Sequence, residues 1–123
     1  MKPGKCYENT IQALMAGTYD TPEAECMLCH GYPRLTKECQ GHPAGTLYGH
    51  AWLERGRGVD RICIDVLTGK AFGIGVFYAV GQIDPATVAR YTKAEAWENL
   101  KKYRHQGPWG AVPMEAVFGK RKG

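Results

Sequence analysis

Residues 46–67 read TLYGHAWLERGRGVDRICIDVL, and this stretch decides the fold that the chain is expected to adopt. Segments 46–54 and 59–67 are rich in aromatic, aliphatic and β-branched residues, which favour extended strands. Between them lies RGRG at 55–58, whose glycines can adopt the positive φ that a tight hairpin turn requires. The pattern therefore predicts an antiparallel β-hairpin.

The length of the hairpin loop sets the register of these two strands. A loop of two or four residues centred between 56 and 57 places His50 opposite Cys63. Because side chains alternate between the faces of a sheet, Asp65 then lies diagonally across from His50 on the same face, whereas Asp60 points to the other side. Asp65 is the predicted partner of His50, and a register slipped by one residue would give that role to Asp60.

Further helices and strands are predicted on both sides of the hairpin. Hydrophobic periodicity and turn signals indicate a helix over 6–16, a strand over 26–32, a strand over 72–80, a short helix over 84–91 and a helix that opens at the Thr92–Glu95 capping box and stops before Gly107. This order predicts an α+β fold. An N-terminal helix is expected to pack on a small antiparallel sheet, followed by C-terminal helices.

Length and composition predict a single globular domain over 1–123, with a basic tail from about residue 119. The 44% hydrophobic and 23% charged content is ordinary for such proteins. The opening MKPGKCYEN has no apolar signal-peptide run, and no segment approaches the roughly 18 apolar residues of a membrane span. The odd number of cysteines, five, fits a reducing compartment, so we expect a cytoplasmic protein with no membrane partner.

The charge pattern gives little indication of a partner. The net charge is +4, and the one basic cluster consists of Lys120, Arg121 and Lys122. No aromatic residue is interleaved with that cluster, so a solvated tail is favoured over a nucleic-acid contact. The sequence does not indicate an oligomeric state.

A candidate nucleophile precedes the hairpin in the chain. Cys6 falls where the sequence places a helix N-terminus, and the helix dipole with its free amides favours thiolate there, lowering the thiol pKa below its usual value of about 8.5. A histidine whose ring is oriented by a carboxylate is a competent base for such a thiol. Cys6, His50 and Asp65 are therefore the candidate catalytic residues.

Two motifs carry a resemblance to known enzymes. His50-Ala51-Trp52-Leu53-Glu54 and Ile62-Cys63-Ile64-Asp65, preceded by a cysteine at a helix start, resemble the papain-like and transglutaminase-like superfamily of cysteine enzymes. The opening CYEN at 6–9 and GPW at 107–109 are similar to segments of small phage and bacterial proteins of unassigned function. The resemblance implies a papain-like core in which Cys6, His50 and Asp65 form the triad.

The resemblance also implies a reaction class. A thiolate that forms an acyl intermediate acts on an amide, isopeptide or thioester bond, in a protein or peptide-like substrate, without a cofactor. Papain-like enzymes take an oxyanion-hole side chain from just before the cysteine, and residues 1–5 offer no glutamine or tyrosine. Amides near Cys6 and Tyr7, or the Tyr48 side chain, are the alternatives. The candidate substrate-binding residues are Tyr7, His30, Tyr48 and Trp52.

Each candidate also has a structural interpretation. Cys6 can be a small core residue, and a strand histidine is usually a satisfied polar group. Asp65 can cap the turn that precedes Thr68. His30 can be a solvated residue at a strand end, Trp52 is expected in the core, and Glu54 is expected to be a solvated charge near the turn. A degenerate member of the fold that binds without turnover would keep the same residues.

A second constellation has metal-ligand spacing. Cys26 and Cys29 are followed, after nine intervening residues, by Cys39 and His42, and the four could form a structural zinc site. If 26–32 is a strand, however, Cys26 and Cys29 project from opposite faces and cannot bind one ion. The rival to an enzyme is thus a non-catalytic binding module, with or without such a zinc, that holds a protein or nucleic acid through the basic tail and exposed aromatics such as Tyr32 and Trp109.

Overall fold

The computed structural model describes residues 3–110, with side chains from Lys5 onward. Its helices and strands, in chain order, are α1 (Pro3–Ala16), β1 (Met27–Gly31), β2 (His50–Arg55), β3 (Ile62–Asp65), β4 (Lys70–Gly73), α2 (Ile74–Gly81), β5 (Ala89–Tyr91) and α3 (Lys93–Tyr103). The strands form one sheet in the order β4-β3-β2-β1-β5, and every neighbouring pair is antiparallel. The α+β class, the N-terminal helix and the antiparallel sheet are confirmed.

The central hairpin forms, but its register differs from the prediction. Glu54 lies opposite Cys63, so Cys63 does not face His50. The loop is longer than expected because the segment Gly58–Asp60 winds into a 3₁₀ turn that carries Asp60 away from the strands. Since the shift along β2 is four residues, an even number, His50 and Asp65 stay on the same face of the sheet.

The sheet is buried on both faces, which explains why all of β2 except its last residue is buried. On one face, α1 and α3 pack on the strands through the cluster Ile11, Leu14, Cys26, Leu28, Leu53, Ile64 and Ala96. On the other face, α2 and the following loop pack through Cys29, Trp52, Cys63, Tyr78 and Ile83. A strand covered on both sides has no solvent-facing half, so polar residues within it must find partners inside the protein.

The strand predicted over 72–80 is wrong beyond its first residues. Only Lys70–Gly73 pairs with β3, and the chain then turns into α2. A short, continuous apolar run does not distinguish a strand from a buried helix. Ile74, Phe77 and Tyr78 follow helical spacing and pack against the sheet, and this packing determines the outcome.

The helix predicted over 84–91 is also wrong, whereas the next one is confirmed. Asp84 caps only the 3₁₀ turn Pro85–Thr87, and Ala89–Tyr91 then adds to the sheet beside β1. Pairing with an unfilled sheet edge outweighs the local helix signal there. At α3, Thr92 and Glu95 make both hydrogen bonds of a capping box, as predicted.

Glu54 is the most heavily bonded side chain in the sheet, and the prediction that it is a solvated charge is wrong. Its carboxylate is buried and accepts hydrogen bonds from Trp52 Nε1 (2.9 Å), Arg90 Nε (2.9 Å) and the Tyr78 hydroxyl. Arg61 lies 3.3 Å away. Burial alone would raise the Glu54 pKa, but these hydrogen bonds and the Arg90 charge outweigh it and lower the pKa.

We predict that Glu54→Ala lowers the free energy of unfolding by about 3–5 kcal/mol, because it leaves Arg90, Tyr78 and Trp52 without their shared acceptor. Glu54→Gln keeps an acceptor but not the charge, so its loss is expected to be smaller. Urea denaturation followed by circular dichroism measures both. Glu98→Ala on the exposed side of α3 is the control, and a Glu54→Ala loss no larger than that of the control would contradict the prediction.

Candidate active site

His50 and Asp65 meet because they occupy adjacent ends of two antiparallel strands. His50 is the first residue of β2 and Asp65 is the last residue of β3. His50 Nε2 lies 4.0 Å from Asp65 Oδ2. This distance is longer than a hydrogen bond but within the range of an ion pair if the ring is protonated. The predicted pairing of the two residues is observed.

Asp65 is held in place by the turn that follows it. Its Oδ1 accepts a hydrogen bond from the Leu67 amide at 3.1 Å, and its carbonyl accepts one from the Gly69 amide at 2.7 Å. One carboxylate oxygen thus caps the turn while the other faces His50. The turn-capping interpretation of Asp65 is therefore observed, and its proximity to His50 leaves the orienting role a prediction.

The His50 ring is buried, and its surroundings favour the neutral form. Burial lowers its pKa, and the Asp65 carboxylate only partly offsets this effect. Among the described residues, Nδ1 has no hydrogen-bond partner. A proton on Nε2, directed at Asp65, leaves the lone pair on Nδ1, which is the form of histidine that accepts a proton.

Cys6 lies in the first turn of α1, as predicted, but its thiol is not activated. The side chain is 1% exposed and packs with Tyr7, Ala51 and Leu67. Burial raises the pKa of Cys6 to about 11, the Ala51 amide opposes this shift, and the Asp65 charge adds to it. The expected lowering of the thiol pKa at the helix N-terminus is therefore wrong, because desolvation exceeds the effect of the helix.

Asp65 is the electrostatic centre of the site. Its charge acts on the Cys6 thiol, on the His50 ring and on the Tyr48 hydroxyl, and it raises the pKa of each. Cys6 also packs on Ala51, the residue that follows His50 in β2. The structure thus brings the three predicted catalytic residues and Tyr48 to one end of the sheet.

A cavity of about 230 Å³ opens beside His50 and Asp65. Tyr48 lines it with them, and the remaining walls are apolar and come largely from β4, α2 and the loop after α2. Cys6 is not part of this lining, because it approaches the end of the sheet from the α1 side. The α2 wall of the cavity was not predicted, because residues 72–80 were assigned to a strand. The helical spacing of Ile74, Phe77 and Tyr78 is the signal that could have indicated α2.

The other predicted substrate-binding residues divide between the cavity and the core. Tyr48 lines the cavity. Trp52 is fully buried and stacks on the His50 ring with ring centroids 6.0 Å apart. It therefore packs behind His50 and does not line the cavity. Tyr7 is buried and contacts His30 edge-on at 4.9 Å.

His30 is neither solvated nor in the cavity, so both predictions for it are corrected. It is 3% exposed and lies among the rings of Tyr7, Tyr91 and Trp109. Neither ring nitrogen has a hydrogen-bond partner among the described residues, and burial, with a smaller effect of His105, lowers the His30 pKa to about 3. Gly107 packs directly against the His30 ring. A Cβ at position 107 would lie 2.5 Å from that ring, so only glycine fits there.

The four residues with zinc-like spacing are not brought together. Cys26 packs on the α1 face of the sheet and Cys29 on the α2 face. Cys39 is exposed and pairs through its backbone with His42 across a tight turn. Within residues 3–110, no group of three or more histidine, cysteine or acidic side chains is arranged to hold a metal ion.

The exposed aromatic residues predicted for a binding module are not found as expected. Tyr32 is buried, so it is not an exposed aromatic, and Trp109 is half-buried against His30. The basic tail from residue 119 lies outside the described residues. None of the helices in the described part of the chain combines the length and apolar character needed to cross a bilayer.

Comparison of the chain with protein-family models, curated proteins and solved structures found no match.

We predict that His30 makes the protein acid-sensitive. The folded-state pKa of about 3 lies below the ordinary 6.5, so the unfolded chain binds a proton that the folded protein does not. Stability is therefore unaffected above pH 6.5 and falls below it, by at most about 1.4 kcal/mol per pH unit for this group.

His30→Phe is the test, with unfolding free energies measured by urea denaturation at pH 7 and pH 4. Wild type should lose up to about 3 kcal/mol more than His30→Phe between these values. Titration of carboxylates is common to both proteins and cancels. His105→Gln, at an exposed position, removes only the smaller of the two effects on the His30 pKa and should reduce the pH dependence slightly. Parallel pH profiles for wild type and His30→Phe would refute the assignment.

Proposed function

We propose that this chain is a cysteine-dependent hydrolase or acyltransferase with a papain-like site. Cys6 attacks a carbonyl carbon, His50 moves the proton and Asp65 orients His50. The observation that carries the proposal is the position of the His50 ring. Its Nε2 faces Asp65, its Nδ1 has no hydrogen-bond partner within the described part of the chain, and the next residue, Ala51, packs with Cys6. The substrate is an amide, isopeptide or thioester in a protein or peptide-like molecule, and no cofactor takes part.

The proton movements follow from the pKa directions. Because burial raises the Cys6 pKa and lowers the His50 pKa, the resting site holds a neutral thiol and a neutral imidazole. On attack, the thiol proton moves to Nδ1, the S–C bond forms and the carbonyl π pair moves onto oxygen. The imidazolium, stabilised by Asp65, then protonates the leaving group as the acyl–sulfur intermediate forms. Water or an amine releases the acyl group by the reverse sequence.

Tyr48 is the side chain suited to stabilise the oxyanion. It lines the cavity with His50, and burial raises its pKa, with Asp65 adding to that shift, so the hydroxyl stays protonated and can donate. It stands 6.1 Å from His50 between ring centroids. This role replaces the residue that papain-like enzymes take from just before the cysteine.

We predict that a short-chain acyl thioester acylates Cys6, detected as a mass increase on the peptide that contains it. His50→Ala should slow acylation by about 10²–10⁴-fold, because it removes the proton acceptor. Asp65→Asn should slow it less, because it leaves the ring in place. Cys39→Ser removes the exposed thiol and should leave the rate unchanged. Acylation confined to Cys39, or insensitive to His50→Ala, would exclude the triad.

We also predict that the resting thiol alkylates slowly and without activation at acidic pH. In Cys39→Ser, the rate of Cys6 modification by iodoacetamide should rise about tenfold per pH unit up to the limit of stability, because the thiol pKa is near 11. A rate that is already high and flat between pH 5 and 7 would show a preformed thiolate–imidazolium pair, contrary to the neutral resting state derived above.

The second candidate is a binding module that uses the same cavity without turnover. It is favoured by the burial of Cys6, a residue that is 1% exposed and lies outside the cavity lining. Its ligand would be a protein or peptide. It predicts ligand binding with no acyl–Cys6 adduct at any pH, so the thioester experiment separates it from the enzyme.

A further inference from the structure

The cavity beside His50 has a wall of exposed apolar side chains. Val76 and Val80 on α2 are 58% and 64% exposed, and Phe72 at the end of β4 also keeps its ring partly in solvent. All three line the same cavity, together with the more deeply placed Phe77. Large apolar residues that gather at one concave site, and not singly over a surface, are typical of a binding site.

The inner side of this wall is packed against the sheet. The Phe77 ring contacts Trp52 at 5.2 Å and Phe72 at 5.9 Å between ring centroids. The end of α2 is tied to the loop after β1 by the hydrogen bond from the Arg34 amide to the Gly81 carbonyl, 2.8 Å. The cavity is thus preformed, which lowers the entropic cost of binding a ligand there.

Its size limits what can enter. A volume of about 230 Å³ exceeds the roughly 150 Å³ of an apolar cavity that accepts benzene, but it is below the 300–1,000 Å³ that is usual for drug-sized ligands. One side chain or one short acyl chain fits. A nucleotide or a large cofactor does not.

The charge of the lining limits the ligand further. Asp65 is the one acidic residue among the described lining residues, and neither lysine nor arginine is among them. A carboxylate placed beside His50 would meet the Asp65 charge without a cation to balance it. The polar end of the cavity therefore fits an uncharged carbonyl group.

We propose that this cavity binds an uncharged acyl group with a short aliphatic or aromatic chain, so that α2 selects the acyl side of the substrate. The chain lies against Phe72, Val76 and Val80, and the carbonyl group lies at the polar end of the cavity, beside His50 and Tyr48. The binding site stands on its own geometry, whereas its role in selecting an acyl donor rests on the proposed function.

Hexanamide and hexanoate, which have equal chain length, are the probes, with binding followed by shifts of backbone amide signals in ¹⁵N-labelled protein. Hexanamide should bind in the millimolar range expected for so small a ligand, with shifts concentrated at residues 76–83 and 65. Hexanoate should bind at least fivefold more weakly, and Asp65→Asn should reduce that difference. Equal binding of the two, or shifts spread over other surfaces, would overturn the proposal.

Val80→Asp tests the wall itself, and Val59→Asp is the matched control. Both valines are exposed, Val59 at 92% and outside the cavity, so neither change disturbs the core. Val80→Asp should weaken hexanamide binding at least fivefold, whereas Val59→Asp should leave it unchanged. Unaltered binding in Val80→Asp would overturn the proposed site.

Cys6→Ala separates this proposal from the proposed function. It should abolish acylation by hexanoyl thioester and leave hexanamide binding unchanged. Binding without any acylation of wild type would overturn the enzyme and retain the cavity as an acyl-binding site. Acylation of wild type that is no faster with hexanoyl than with acetyl thioester would retain the enzyme and overturn selection by α2.

Discussion

The buried Glu54 carboxylate holds together the parts of the sheet on which the site depends. It joins Trp52 on β2, Tyr78 on α2 and Arg90 on β5, and the Arg90 guanidinium in turn donates to the Tyr78 hydroxyl at 2.8 Å. A charge in this position is stable only while its partners surround it. The network therefore fixes where α2 lies against the sheet, and with it the wall of the cavity beside His50.

Local patterns predicted the elements whose signals agree with their surroundings. The α1 periodicity, the hairpin strands and the Thr92–Glu95 capping box are each consistent with the packing they meet, and all three form. Segments 72–80 and 84–91 were assigned wrongly because their secondary structure depends on contacts with the sheet. In the first segment, burial of an apolar face on Trp52 favours the helix α2. In the second, pairing with β1 favours the strand β5.

The candidate site shows the same division. The pairing of His50 with Asp65 was predictable, because alternation along the strands is insensitive to an even shift in register. The state of the thiol was not, because the desolvation that raises the Cys6 pKa comes from Ala51 and Leu67, which lie far from it in the chain. The sequence was thus sufficient to predict which residues lie together, whereas the pKa values of their side chains depend on tertiary packing.

The outermost strands of the sheet are very short. β4 has four residues and β5 has three, and α2 and α3 follow them almost at once. Each margin thus offers few free backbone groups to an incoming extended chain, which limits lateral growth of the sheet into filaments. Strand addition, which depends on a row of main-chain hydrogen bonds along a sheet edge, is therefore disfavoured at both edges.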